Sequence, residues 1–457
     1  PEQGVLDAQL RGFAVLNIGI DPRGIGVERL SSVRIEQGIL ALHEVTESHG
    51  SDIDIDSEHR LTDPLVRTDA GLVETSWSSA LRAAASLVTD ALADGGADSV
   101  GLLGGARGSN EDAFAWAQLA DAIGTPLRDA QFGDGLPAEV LGFPRATIDA
   151  AAGASTIVLL GGDLKEELPV LYLRLRDAAE KRRSRILEFS AVETGLTPYA
   201  WTSIRHEPGT QAAAVAKAFA DDDIAAQLAS GDVVVVAGRP NLAESADATV
   251  AAVQAVLDAV PGATVLPALR RGNVVGALSL GLAPADADHD GLATLRAAAD
   301  GKLELLVLLG ADPLNDGPDA DLARRAIAGA RRVLAVDTFP SESANHADVV
   351  LAAAAYGEKA GTTTNLEGRV TTLAHQVTAT GTSRPDWMIA VELGLMIGER
   401  SFGADHPLRG VSTVADVTAL IAKSVPAFAG VTAAALSEQP DGVLIDPSMS
   451  PPAPVSF

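Results

Sequence analysis

Short, unbroken apolar runs alternate with helix-length segments from Trp77 to Ile397, and this alternation constrains the fold more than any other feature. Residues 156–160 read TIVLL and residues 233–237 read VVVVA. Apolar residues at consecutive strand positions require cover on both faces, and helices between such strands make the sheet parallel. In chain order the pattern predicts a helix from Ser76–Trp77 to about Leu92, a strand over 99–103 and a helix over 110–123. Ser109 or Asn110 caps that last helix, and Glu111 and Asp112 fall in its first turn. A strand over 156–160, an amphipathic helix over 168–182 with Pro169 in its first turn, and a strand over 184–189 follow. The same order restarts at Asp232, with strands over 232–237, 263–266, 303–309, 332–336 and 349–351. Helices are expected over 243–260, 322–330, 385–397 and 412–423. The fold class is therefore α/β, with several doubly wound, mostly parallel sheets. A small β-rich module is expected over residues 1–68, the α/β domains over 69–400, and a helix with a Pro-rich tail over 401–457.

Three of these strands end in glycine turns: GGARGSNED, GGDLKEELP and GADPLND. In open α/β sheets ligands collect at the carboxyl ends of strands beside helix N-termini, so these turns form the rim of any site. Tight strand-to-helix turns also need Gly, Asp and Pro for purely conformational reasons. The stretch 344–370 is denser still. Glu358, Thr362 to Thr364, Asn365, Glu367 and Arg369 fall within twelve residues, interleaved with Gly357, Gly361 and Gly368. A loop of this composition holds either a ligand or another segment of its own chain. In the second case Arg369 pairs with Glu358 or Glu367.

Composition narrows the chemistry. The 457 residues contain no cysteine, which removes disulfides, thiolate-ligated clusters, ordinary structural zinc and thiol nucleophiles. The eight histidines (43, 49, 59, 206, 289, 346, 375 and 406) are scattered and form no metal-binding spacing. A net charge of −27 argues against nucleic acid or an anionic membrane surface as direct partners, and leaves a basic protein as the charged alternative. Mean hydropathy is +0.18, and the apolar runs are strand length, far short of the roughly 18 residues of a membrane span. PEQGVLDAQL carries no leader pattern, so the expectation is a cytoplasmic location. Gly19, Gly24 and Gly26 do not form a dinucleotide fingerprint, and no phosphate-loop motif sits at a strand–helix turn. A free-standing nucleotide-binding protein is disfavoured on that ground.

The segments 101–125, 158–182, 270–281, 308–314 and 347–370, the last with ADVVL followed by GE, GT, N and EGR, resemble the molybdopterin oxidoreductase superfamily. Within it they are most similar to the molybdopterin-like domain of the large iron–sulfur subunit of bacterial respiratory complex I, an NADH:quinone oxidoreductase. RLTDPLVR (60–67) and SWSSAL (76–81) resemble the junction at which that subunit leaves its iron–sulfur region. The resemblance implies that residues 1–68 are a degenerate remnant of that region. It places any metal ligand in LRDAQFGDG (127–135), where only Asp129 and Asp134 qualify. The barrel that closes the pterin site in active members has little room in the 57 residues after Arg400. With cluster and metal ligands both missing, the resemblance implies a non-catalytic scaffold without cofactor. It would sit in the peripheral arm on the inner face of the cell membrane, with the other subunits of an NADH:quinone oxidoreductase as partners. The vestigial site would comprise Gly105, Arg107, Glu358, Thr362, Asn365, Glu367 and Arg369. The alternative is a pterin-binding molybdenum or tungsten oxidoreductase subunit with its clusters on a partner.

Overall fold

A computed structural model describes residues 59–239, 244–398 and 401–446, all within one compact unit. The chain enters through a hairpin, β1 (Leu65–Thr68) and β2 (Gly71–Glu74), followed by α1 (Trp77–Asp94). Ser76 caps α1 by accepting from the Ser79 amide. Next come β3 (Val100–Gly104), α2 (Asn110–Ile123) and β4 (Leu127–Asp129). The chain then builds a separate layer from α3 (Ile148–Gly153), β5 (Thr156–Leu160), α4 (Leu164–Glu167), α5 (Pro169–Lys181), β6 (Arg185–Ser190) and β7 (Thr202–Arg205). The layer is completed by α6 (Gln211–Ala218), α7 (Asp222–Leu228), β8 (Val233–Ala237), α8 (Ala246–Ala259) and β9 (Thr264–Pro267). It returns through α9 (Val274–Ser279), α10 (Gly291–Ala299), β10 (Leu305–Leu309), α11 (Pro313–Asp316), α12 (Ala320–Gly329), β11 (Val333–Asp337) and β12 (Val349–Ala352). A second hairpin, β13 (Gly361–Thr364) and β14 (Arg369–Leu373), precedes α13 (Asp386–Ile397), α14 (Val414–Ser424), α15 (Ala433–Glu438) and β15 (Val443–Leu444).

Strands β1 to β12 form two mostly parallel sheets. The larger has the order β2-β1-β12-β11-β10-β3-β4, parallel from β12 to β4, with the β1–β2 hairpin added antiparallel at one edge. The smaller, β7-β6-β5-β8-β9, is parallel throughout. Every residue of β3, β5, β8 and β10 is buried, as the unbroken apolar runs require. The restart expected at Asp232 is not a domain boundary, because β8 and β9 join β5 to β7 in one sheet. That sheet is inserted between β4 and β10 of the larger one. Each sheet reverses its strand order once, between β3 and β10 in the larger and between β5 and β8 in the smaller.

Two further stretches differ from expectation. Residues 361–373 are not a loop but two strands of the antiparallel sheet β13-β14-β15. Thr362 to Thr364 supply β-branched side chains that suit a pleated surface although they are not apolar. Residues 401–446, which read as a loosely patterned tail, are packed: α14 lies against α2, and Phe402, Phe428 and Val417 are buried. The β-rich module expected at the N-terminus falls mostly outside the described residues. Its last residues, 65–68, form β1.

Candidate functional site

Helix α2 organises the chemistry of this fold. Its first three residues, Asn110, Glu111 and Asp112, are 0%, 0% and 2% exposed, so their polar groups need partners inside the protein. Ser109 and Asp112 form a reciprocal capping box: the Ser109 amide donates to Asp112 Oδ2 at 2.8 Å, and the Asp112 amide donates to Ser109 Oγ at 3.1 Å. The remaining partners come from the 361–364 strand. The Thr362 amide donates to Glu111 Oε2 at 2.7 Å, and its hydroxyl donates to Oε1 at 2.9 Å. Asn110 donates to Thr362 Oγ1 and accepts from Thr364 Oγ1, both at 3.0 Å. The Thr364 amide donates to Asn273 Oδ1 at 2.7 Å, and Thr418 on α14 donates to Glu111 Oε1 at 2.8 Å. Burial raises the Glu111 pKa against the pull of these bonds.

Lys359 completes the network. Its Nζ lies 2.7 Å from Asp112 Oδ2 and 2.6 Å from Asp386 Oδ2, with the lysine side chain 5% exposed. Burial alone would lower its pKa, but the two carboxylates outweigh that and raise it. Asp112 Oδ1 also accepts from the Trp387 amide at 2.9 Å, which ties the start of α13 to the start of α2.

Glu358 belongs to a different cluster. It forms a bidentate pair with Arg60 (Nη1–Oε1 3.0 Å, Nη2–Oε2 2.7 Å) and accepts from the Ala355 amide at 2.7 Å. Burial works against its ionisation, yet Arg60 and the amide hold the pKa below the ordinary value. Arg369 therefore pairs with Glu367 (Nε–Oε1 2.5 Å) and not with Glu358. Glu367 Oε2 accepts from the Ile148 amide at 2.7 Å, and Asn365 Oδ1 accepts from the Glu367 and Arg369 amides to close the β13–β14 turn. The expected vestigial residues thus fall into separate networks rather than around one cavity.

Gly105 and Arg107 lie at the carboxyl edge of the larger sheet, where the strand order reverses between β3 and β10. Gly104 and Gly105 have φ of +106° and +94°, and a Cβ on Gly104 would lie 2.3 Å from the Leu309 carbonyl oxygen. Arg107 Nη1 reaches across the reversal to the Gly310 carbonyl at 3.2 Å and to Asp316 Oδ2 at 2.8 Å. The GGARGSNED and GADPLND turns therefore flank this crevice, and GGDLKEELP flanks the corresponding reversal in the smaller sheet. Own-chain segments crowd the larger crevice: the Asn273 amide donates to the Ala106 carbonyl at 2.9 Å, and Leu282 packs against Gly105. Within β6, Glu188 is 0% exposed and accepts from Thr194, Thr197 and Ser203 at 2.5, 2.8 and 2.5 Å.

Among the described residues, both candidate metal ligands are engaged by the protein itself. Asp129 Oδ1 accepts from the Gln131 amide and Oδ2 from the Gly291 amide, both at 2.9 Å. Asp134 forms a bidentate pair with Arg271 at 3.1 and 3.0 Å and accepts from the Phe132 amide at 3.1 Å. Asp129 thereby ties residues 127–135 to the start of α10, and Asp134 ties them to Arg271. Among the described residues, no group of three or more His, Asp or Glu side chains is placed to hold a metal ion.

Asp129 yields a pH prediction. Burial pushes its pKa from an ordinary 3.8 to about 7. The protonated acid therefore favours the folded state, a contribution fully present below 3.8 and lost as pH rises through about 7. Relative to Asp129→Asn, wild-type stability is expected to fall by roughly 2–3 kcal/mol between pH 5 and 8. Urea denaturation of both proteins at each pH checks this, and parallel pH profiles would contradict it.

Sequence reasoning placed Glu111 and Asp112 at a helix start but gave them only a dipole role. It missed Lys359, Asp386, Arg60 and Glu188. The available signal was NED directly before the apolar run AFAWA, which forces three polar residues into the core.

Residues 60–395 match the molybdopterin oxidoreductase family. NADPH-Fe(3+) oxidoreductase subunit alpha of Geobacter sulfurreducens is 26% identical over 471 aligned positions, covering 84% of this chain and 54% of that protein. A subunit of the NADH-quinone oxidoreductase of Streptomyces coelicolor is 32% identical over 372 positions, covering 68% of this chain and 43% of that protein. The chain spans about half the length of the curated relatives it matches. Among solved structures, acetylene hydratase from Pelobacter acetylenicus aligns with a TM-score of 0.51 at 13% identity. The alignment covers 75% of this chain and 62% of that one, a likeness of fold alone.

Proposed function

Because this chain belongs to the molybdopterin oxidoreductase family, we propose that it is a cofactor-free α/β scaffold within a complex I-type NADH:quinone oxidoreductase. The observation that carries this reading is the internal use of the site's polar groups. Asp129 and Asp134 tie residues 127–135 to Gly291 and Arg271, and across the α2 start Thr362 binds Glu111 and Thr364 binds Asn110. An active pterin site needs such groups turned toward a ligand. A scaffold needs them turned inward, where they fix the relative positions of helices and strands.

The Streptomyces coelicolor relative, itself a subunit of an NADH-quinone oxidoreductase, supports partner subunits as the chain's context. In this reading attachment to the inner face of the membrane comes through those partners. Among the described residues no helix is long and apolar enough to cross a membrane. The second reading, a pterin-binding molybdenum or tungsten subunit with its clusters on a partner, draws on the left-handed Gly104–Gly105 turn at the strand reversal.

Purification of the native assembly separates the two. Native mass spectrometry is expected to find NADH:quinone oxidoreductase subunits bound to the chain. Molybdenum and tungsten should lie far below one atom per chain by elemental analysis, with no pterin fluorophore after oxidation. Stoichiometric metal together with a pterin fluorophore overturns the scaffold reading in favour of the second one.

A further inference from the structure

Helix α5 buries Leu171, Tyr172, Leu175 and Ala178 and turns its other residues outward. With about 100° between successive residues, Val170, Leu173, Arg174, Asp177 and Lys181 share one outward stripe. Val170 and Leu173 are 43% and 48% exposed, and the Lys181 side chain is 75% exposed. The stripe thus begins apolar and ends in the run Lys181-Arg182-Arg183. Residues 170–185 hold six cations (Arg174, Arg176, Lys181, Arg182, Arg183, Arg185) against Asp177 and Glu180, a net of +4. With a chain total of −27, this leaves −31 on the remainder.

The backbone adds a second observation. Arg183 has φ +63°, in the left-handed region, just past the end of α5. The Ser184 amide donates to the Ala178 carbonyl at 3.2 Å to close the turn. Where the fold alone decides, this position takes glycine. Here a cation occupies it, on an exposed surface. The ion pairs Arg174–Asp149, Arg176–Glu180 and Lys181–Asp177 are partly or largely exposed, so they exchange readily for other carboxylates.

We propose that this stripe is a docking face for an acidic protein partner. Val170 and Leu173 seat against an apolar patch, and the Lys181–Arg183 end pairs with carboxylates. Charge complementarity selects the occupant. A two-fold contact of the stripe with its own copy sets the Lys181–Arg183 end against like cations or against Val170 and Leu173, and in neither case against a cluster of carboxylates. An anionic lipid surface repels the remaining −31 of the chain. The whole-chain charge points to a basic partner, but locally this helix points to an acidic one.

The test uses the purified native assembly. A zero-length carbodiimide cross-linker is expected to join Lys181 to Asp or Glu residues of another subunit. The variant Lys181→Glu/Arg182→Glu/Arg183→Glu is expected to weaken that subunit's binding roughly 10–100-fold, with the wild-type affinity falling steeply as salt rises. Arg183→Gly separates docking from folding: it should hold or raise Tm and still weaken the partner. Cross-links confined to Asp177 or to a second copy, unchanged binding by the triple variant, or stripe-dependent sedimentation with phosphatidylglycerol vesicles would each overturn the proposal. If the cross-linked partner is acidic but belongs to an assembly other than an NADH:quinone oxidoreductase, the docking face stands and the functional reading fails.

Discussion

Lys359→Met is expected to lower the unfolding free energy by roughly 3–5 kcal/mol, because removing one member of a buried ionic cluster strands the others. Asp112 and Asp386 would then face each other with no cation between them, at 2% exposure for Asp112. The loss should depend on pH in a defined direction. In wild type, burial already raises the Asp386 pKa, while Lys359 restrains the rise. Without Lys359 the Asp386 carboxyl moves further up, so its protonated form favours the folded state. That contribution is present below the ordinary carboxylate range and is lost as pH rises through the new, higher value. The deficit of Lys359→Met should therefore be larger at pH 8 than at pH 5. Adding Asp386→Asn should recover part of it by removing one stranded charge. Urea denaturation of the three proteins at both pH values decides the matter, and an equal deficit at both would show that Lys359 contributes through packing alone.

This cluster shows where the sequence stops being legible. The helix over 110–123 was readable to the residue, because a Ser-Asn start with acidic residues precedes an apolar run; the cap, open between Ser109 and Asn110 in the sequence, is Ser109, in a capping box with Asp112. The depth of its N-terminus was not readable. Asp, Glu and Asn in a first turn usually face water and complement the helix dipole. Here hairpin residues more than 240 positions away cover them, as the Thr362 to Glu111 bond does. Sequence proximity carries no information about such a contact.

The sheets follow the same logic. Apolar runs located β3, β5, β6 and β8 to β12 closely, because a strand covered on both faces has few compositional alternatives. Their assignment to two sheets was not legible. After β7 the chain crosses back over β5 to place β8 on its other side. Two short helices of ordinary composition, α6 and α7, make that crossing, so Asp232 looked like a fresh start. The hairpin over 361–373 was missed for another reason: its threonines bury hydroxyls that are paired with Glu111 and Asn110, and a hydropathy pattern cannot register paired polar groups. The density of polar residues at 358–369 marked a segment that holds either a ligand or another part of its own chain, and bonds to its own chain are what these residues make. What composition could not say was that this holding is divided among three networks.

Glu358→Ala is expected to cost roughly 3–5 kcal/mol, comparable to Lys359→Met but by a separable route. Arg60 and Glu358 have side chains 1% and 0% exposed, and the carboxylate also accepts from the Ala355 amide and the Thr380 hydroxyl. Deleting Glu358 leaves a guanidinium inside the protein without its bidentate carboxylate. The Phe339 ring, 5.5 Å from the guanidinium carbon, compensates only a fraction of that loss. The pair also joins segments that are distant in sequence and lie beside the paired strands β1 and β12. Arg60 lies just before β1, and Glu358 lies between β12 and β13, so the contact fixes the chain where it enters the edge of the sheet. Local opening of that edge should accompany the loss, read as faster amide exchange across residues 61–68 than in Lys359→Met. The double variant Arg60→Leu/Glu358→Leu isolates the cause. If the cost arises from a stranded charge, the double variant loses less than the sum of its single variants, because neither ion is left behind. If the singles add, the pair acts only through the volume it fills, and the electrostatic account of this junction is wrong.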